Sequence, residues 1–203
     1  MKNLNNLNVT QTALIIVDIQ NDFCSSNGVC AQNHRDVSPI QNMVLKLDKF
    51  ITQMRELGVK IIFTKQYEIS QGAPRPIQTL FRQGKLWPEC APNSWGADFY
   101  ALKPTAKDLV IEKRSWDAFT NKKLNVFLKK NGINTVIITG TLTTICVEST
   151  ARRAFSEGYD VIIPKDLVAV SKDKEAHEKQ SLKFFDGFLG EVVSSADLLK
   201  RLH

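Results

Sequence analysis

Short runs of uninterrupted apolar residues alternate along this chain with longer stretches in which apolar residues recur every three or four positions. Ala13–Val17 is apolar throughout and predicts a strand. Ile40–Leu57 follows, with Ile40, Val44, Leu47, Ile51, Met54 and Leu57 on one helical face, and Gly58 stands where a C-terminal cap belongs. Val59–Thr64 predicts a second strand and Asp108–Glu112 a third. After them come a helix at Leu124–Lys130, a strand at Thr135–Thr139, a helix at Thr143–Glu157 closed by Gly158, a strand at Tyr159–Ile163, a helix at Lys172–Phe188 and a last strand at Glu191–Ser194. Strands that are apolar on both faces and separated by helices imply a parallel sheet covered on both sides. Right-handed crossovers make it doubly wound. The expected architecture is therefore α/β: three layers, with a mainly parallel sheet between helices.

Residues 65–107 break this rhythm. They contain Gly72, Pro74, Pro76, Pro88, Pro92 and Gly96, which predicts a long excursion with little regular structure, and a loop of that length in a compact domain points to function. The 203 residues suit a single domain, 1–203, and the composition, 43% hydrophobic and 24% charged, is that of a soluble globular protein. No run reaches the roughly 18 apolar residues of a membrane span. The polar N-terminus lacks a signal-peptide core, so a cytoplasmic location without membrane partners is expected. The net charge of +6 arises from lysines and arginines interspersed with acids, as in Lys172–Lys179, which reads as a solvated helix face rather than a nucleic-acid surface. Cys24, Cys30, Cys90 and Cys146 read as free thiols, and the first three as incidental; no cysteine–histidine spacing suits a metal.

Ligands in doubly wound sheets bind beyond the carboxyl ends of the strands. Three reactive side chains are expected there: Asp18 after the first strand, Lys113 after the third, and Cys146 in the helix that follows the fourth. A helix N-terminus and a nearby ammonium favour a thiolate. A carboxylate serves as the base that takes the thiol proton. N–H groups at Thr141, Leu142 and Cys146 stand where an oxyanion would form. Read singly, Asp18 is as well explained as a loop cap, Lys113 as part of a solvated charge run and Cys146 as a buried structural thiol. The coincidence of the three at strand ends carries the weight. Phe23, Tyr67 and Trp116 lie near these positions and are candidate substrate contacts, with core packing the competing reading. Gln20 and Asn21 are read either as substrate contacts or as ties within the turn.

The motifs Ala13-Leu-Ile-Ile-Val-Asp-Ile-Gln-Asn-Asp-Phe23, Asp108-Leu-Val-Ile-Glu-Lys-Arg-Ser-Trp-Asp-Ala-Phe119 and Ile138-Thr-Gly-Thr-Leu-Thr-Thr-Ile-Cys-Val-Glu-Ser-Thr-Ala-Arg-Arg-Ala-Phe155 resemble, in order and spacing, those of the isochorismatase-like cysteine hydrolases; Gly158–Asp166 continues the match. The resemblance implies a six-stranded parallel sheet and an Asp18–Lys113–Cys146 triad. It also implies a non-proline cis peptide at Thr141–Leu142 that turns the Leu142 amide toward the oxyanion. The implied reaction is hydrolysis of a C–N bond in a small amide, ureide or carbamoyl compound, and the implied assembly is a homo-oligomer, dimer or tetramer. No cofactor is implied. The Asp-x-His metal motif of nicotinamidases is missing from Thr64–Ser70, and Cys146 is the nucleophile that isochorismatases proper lack, so the sequence resembles the ureidoacrylate-type and generic amidohydrolase branches. Thr144 stands where many relatives have Asp or Asn. Two other function classes stay open at this point: a vinyl-ether hydrolase with Asp18 as acid, and a silent scaffold that binds a partner through 65–107.

Overall fold

The computed structural model describes residues 6–67, 72–87 and 89–202. Seven strands form one parallel sheet: β1 (Thr12–Val17), β2 (Lys60–Gln66), β3 (Leu109–Lys113), β4 (Thr135–Thr141), β5 (Asp160–Pro164), β6 (Val168–Ala169) and β7 (Glu191–Val193). The order is β3-β2-β1-β4-β5-β7, with β6 paired to the end of β4. The six-strand path is the expected sheet. β6 is an addition, because two residues are too few to show a period.

Helices α1 (Asn21–Cys24), α2 (Val29–Gln32) and α3 (Ser38–Glu56) follow β1. Then α4 (Arg75–Arg82) follows β2, α5 (Lys122–Lys130) follows β3, α6 (Glu148–Ser156) follows β4, and α7 (Glu175–Phe188) and α8 (Ser195–Leu199) flank β7. β1 is buried at every position because helices cover both faces of the sheet. Leu14 and Ile16 join one core with Ile40, Val44, Leu47, Ile51 and Met54 of α3 and Leu198 of α8. Ala13, Ile15 and Val17 join the other, with Leu124 and Leu128 of α5, Ala151 and Ala154 of α6, and Phe185 of α7. This is the period-two alternation of a strand feeding two layers. Each fully buried Leu or Ile contributes about 1.5–3 kcal/mol relative to exposure.

The 65–107 segment is more regular than expected. It contains α4 and a 3-10 turn at Trp95–Ala97, while residues 68–71 and Pro88 lie outside the described residues. Pro74 and Pro76, read as marks of little regular structure, instead start α4: Pro74 caps it and Pro76 lies in its first turn, where a missing N–H costs no hydrogen bond. The predicted helix at Thr143–Glu157 also differs. Its first turn, Thr143–Val147, is π-helical, with the N–H groups of both Ile145 and Val147 donating to the Leu142 carbonyl. Such single π turns recur at functional sites.

The register places the strand ends side by side. Val17 is paired with Gly140 and Gln66 with Lys113. Gly140 has φ +108°, and a Cβ there would lie 2.2 Å from the Val17 carbonyl oxygen. Glycine alone therefore lets the end of β4 approach the end of β1 this closely, which brings the turn carrying Cys146 beside the residue that follows β1.

Candidate active site

Asp18, the first residue beyond β1, adopts the left-handed region at φ +50°, a conformation that costs a non-glycine residue energy and calls for local support. Thr64 of β2 supplies it. The Asp18 amide donates to Thr64 Oγ1 at 3.2 Å, and that hydroxyl donates to Asp18 Oδ1 at 2.6 Å. Asp18 Oδ2 faces Lys113 Nζ at 2.6 Å, with both side chains fully buried. Apart from this ion pair, Oδ2 accepts no hydrogen bond of good geometry among the described residues. Lys113 Nζ also donates to the Ser115 carbonyl at 2.9 Å and to Gln66 Oε1 at 3.3 Å. The Cys146 thiol donates to the same Gln66 oxygen at 3.5 Å. One buried amide oxygen thus joins the amine and the thiol.

Burial by itself would depress the Lys113 pKa, but the Asp18 carboxylate, and after it Cys146, outweigh burial and leave the amine above its ordinary value. Lys113 is a permanent ammonium. Burial pushes the Cys146 thiol well above the ordinary thiol range; Lys113 pulls it down, Asp18 pushes it up, and burial prevails. Burial thus favours the protonated thiol over the thiolate that a helix start and Lys113 would favour, and that ammonium is already matched by a carboxylate.

A cavity of about 240 Å³ ends on Cys146 and Gln66. Phe23, Trp116 and Leu142 line it, together with Trp87, Ile145 and Glu89. The Thr141–Leu142 peptide bond is cis. Thr141 is buried and donates from its hydroxyl to the Ala169 carbonyl of β6 at 3.0 Å, and Thr143 donates to Glu178 Oε1 of α7 at 2.5 Å. Tyr67 does not join the cavity. It lines a separate open groove and donates to Glu112 Oε1 at 3.2 Å. The reason is the strand period: Gln66 and Tyr67 are consecutive at the end of β2 and point to opposite sides. Gln66 is the residue that sequence reasoning missed. The predicted second strand ended at Thr64, two residues short of it, and only the register of the sheet sets it opposite Lys113.

Gln20 and Asn21 serve as ties. Gln20 accepts the Gln66 amide at 2.7 Å and donates to the carbonyls of Gln66 and Ala97, while Asn21 donates to the Trp95 carbonyl. Together they pin the 65–107 segment over the site. All four cysteines are free, and Cys30 lines the same cavity as Cys146, its thiol pushed up to about 12 by burial and then by Glu89. Among the described residues no helix is long and apolar enough to cross a membrane.

Comparison with known proteins identifies relatives of the chain and of its fold. The chain is 30% identical over 200 residues to the ureidoacrylate amidohydrolase RutB of Acinetobacter baylyi, covering 91% of this chain and 82% of that protein. It is 32% identical over 195 residues to the RutB of Yersinia enterocolitica, covering 89% and 84%. The fold superposes on a cysteine hydrolase from Pseudomonas syringae pv. phaseolicola with a TM-score of 0.84 at 23% identity, covering 96% of this chain and 93% of that one. It superposes on an N-carbamoylsarcosine amidase from Thermoplasma acidophilum at 0.72 and 24%, covering 91% and 96%. Residues 12–197 match the Isochorismatase domain, and the chain belongs to the isochorismatase family of hydrolases.

Proposed function

We propose that this protein hydrolyses a C–N bond in a small amide, ureide or carbamoyl compound through a thioester on Cys146. The observation that carries the reading is the buried Asp18–Lys113 ion pair linked through Gln66 to a protonated thiol at the end of a small cavity. The curated relatives that act on ureidoacrylate support the substrate class.

Because the thiol rests protonated, its proton must leave as the sulfur attacks. Asp18 Oδ2, held against Lys113 and free of hydrogen bonds of good geometry, is the acceptor. The sulfur adds to the carbonyl carbon, and the oxyanion lies against the amides of Leu142 and Cys146. The C–N bond then breaks, and the leaving amine takes the proton from Asp18. Water next adds to the thioester carbonyl, giving its proton to Asp18. The C–S bond breaks and the sulfur recovers that proton. Lys113 remains an ammonium throughout and stabilises the Asp18 charge, since both side chains are buried. Residues 1–203 act as one domain in this reading, with 65–107 forming part of the cavity wall.

Ammonia release from a panel of small amides, ureides and carbamoyl compounds tests the proposal, run beside the Cys146→Ala protein. The expected result is release from one chemical class that vanishes in the variant. Release that persists at the native rate without the thiol would contradict it.

A further inference from the structure

The turn that carries Cys146 is gripped at both ends by one face of α7. At its start, Thr143 is 1% exposed, and its hydroxyl donates to Glu178 Oε1 at 2.5 Å. Just past its end, Glu148, the first residue of α6, accepts the Ser181 hydroxyl on Oε2. Glu178 and Ser181 are three residues apart, so they stand one above the other on α7. Phe185, four residues further on, continues that face and is buried in the same core as Ala151 and Ala154 of α6.

Between the two contacts lie Thr144, Ile145 and Cys146, and all three line the cavity together with Leu142. Thr143, Glu178 and Ser181 are not among the lining residues. The turn is therefore held from behind, on the side away from the substrate. Leu142, whose amide serves the oxyanion in the proposed reaction, has a bonded hydroxyl on either side of it. Thr141 donates to the Ala169 carbonyl of β6, and Thr143 donates to α7. The Leu142 carbonyl in turn accepts the amides of Ile145 and Val147, so a shift at Thr143 is passed directly into the turn. Burial, the first cause, raises the Glu178 carboxyl above its ordinary value; the Thr143 hydroxyl opposes that and Glu175 adds to it. Burying a hydroxyl and a carboxyl costs free energy that an apolar pair would not. A hydrogen bond, unlike an apolar contact, is directional and sets the angle at which the turn leaves β4.

We propose that Glu178 is a positioning residue for the reaction: through Thr143 it fixes the Thr143–Val147 turn so that the Cys146 sulfur and the Leu142 amide face the cavity together. The inference rests on the thiol-hydrolase reading for its effect on turnover, but the placement of the turn can be read without turnover. Glu178 acts as an acceptor and not as a charge. An acceptor oxygen is present in a carboxylate, a carboxylic acid and an amide alike. Glu178→Gln should therefore keep the turn in place, and Glu178→Ala should release it.

Kinetics on the compound that the native protein hydrolyses fastest compare it with Glu178→Ala, Glu178→Gln and Thr143→Val. Glu178→Ala and Thr143→Val should each lower kcat by about tenfold or more and leave KM within about twofold, because the substrate still binds but the reacting groups are misplaced. The double variant should lose no more than either single one, as befits two partners of one bond. Glu178→Gln should restore kcat to within about threefold of native, with an unchanged pH profile. Urea titration of each variant fixes conditions in which all are folded; a role in folding alone would leave kcat unchanged there. Cys146 alkylation by iodoacetamide, read by peptide mapping, is followed on the same proteins. It should quicken by about tenfold in Glu178→Ala and Thr143→Val and keep the native rate in Glu178→Gln. Native kcat in Glu178→Ala, or equal losses in Glu178→Ala and Glu178→Gln, would overturn the inference. If Glu178→Ala does not fold, Thr143→Ser decides in its place: it should recover what Thr143→Val loses, and equal losses in the two would overturn the inference. No ammonia release from any compound by the native protein would sink the thiol-hydrolase reading alone. The inference would then be decided by alkylation, and one rate shared by the native, Glu178→Ala and Thr143→Val proteins would overturn it.

Discussion

Two hollows open on either side of two consecutive residues, and they differ in almost every respect. Tyr67 lines a wide groove of about 940 Å³ with Glu112, Arg114, Asn121 and Lys122, and the groove also reaches Lys113 and Ser115. Gln66 lines a cavity of about 240 Å³ that ends on a thiol. The groove is larger, more open and rich in polar groups that water already serves. The cavity is smaller, and the groups behind it are buried, so each ionisable side chain there depends on a named partner. Volume alone would point to the wrong hollow. A charge that water cannot stabilise marks the place where the chain has built something specific.

The comparison breaks first, and with the largest effect, at Lys113. Lys113→Met removes the ammonium from Asp18 and leaves a buried carboxylate without its partner, a loss typically worth about 3–5 kcal/mol. Urea titration should show it, and kcat/KM should fall by about a thousandfold or more in whatever protein remains folded. The exposed pair of Arg152 with Glu148, also 2.6 Å apart, provides the contrast. Arg152→Ala should cost less than about 1 kcal/mol, because solvent screens that pair. Equal destabilisation by the two variants would contradict the distinction drawn between buried and solvated charge.

Glu89 gives an intermediate effect that depends on pH. Its folded pKa, raised to about 7 chiefly by burial, lies above the 4.5 of an ordinary glutamate. The native state therefore binds the proton more tightly than the unfolded chain does. That contribution to stability is complete below about 4.5 and is lost as pH rises through about 7. Glu89→Gln presents a neutral group at every pH. Its stability relative to the native chain should rise by about 1–3 kcal/mol between pH 5 and pH 8 in parallel urea titrations. A difference that stays constant over that range would contradict the account of Glu89.

The smallest effect is expected at the neighbour of Gln66. Tyr67→Phe deletes a hydroxyl that bonds Glu112 at the surface of the open groove. It should change kcat/KM by less than about twofold and stability by less than about 1 kcal/mol. A loss of tenfold or more in kcat/KM would move the groove into the reaction.

The sequence makes the sheet legible because its central strands carry apolar runs and its helices keep a clean period; β1 and α3 differ from the predicted Ala13–Val17 and Ile40–Leu57 by at most two residues at either end. α4 escaped notice because Pro74 and Pro76 read as breakers when they stand at a helix start. The positions of Asp18, Lys113 and Cys146 were legible from strand ends alone. The charge state of Cys146 was not, since burial outweighs the neighbouring ammonium and burial is a property of the packed chain. Gln66 and Tyr67 show the same limit. Gln66 ends β2 and Tyr67 follows it, and only the strand's orientation decides which one meets the thiol.

The most direct test is alkylation of the native protein with iodoacetamide, with peptide mapping and ammonia release followed on the same samples. The account predicts that activity falls in proportion to the fraction of Cys146 alkylated, and that substrate slows both losses together. Activity that survives complete alkylation of Cys146, or that disappears while Cys146 is unmodified and Cys30 is labelled, would contradict it.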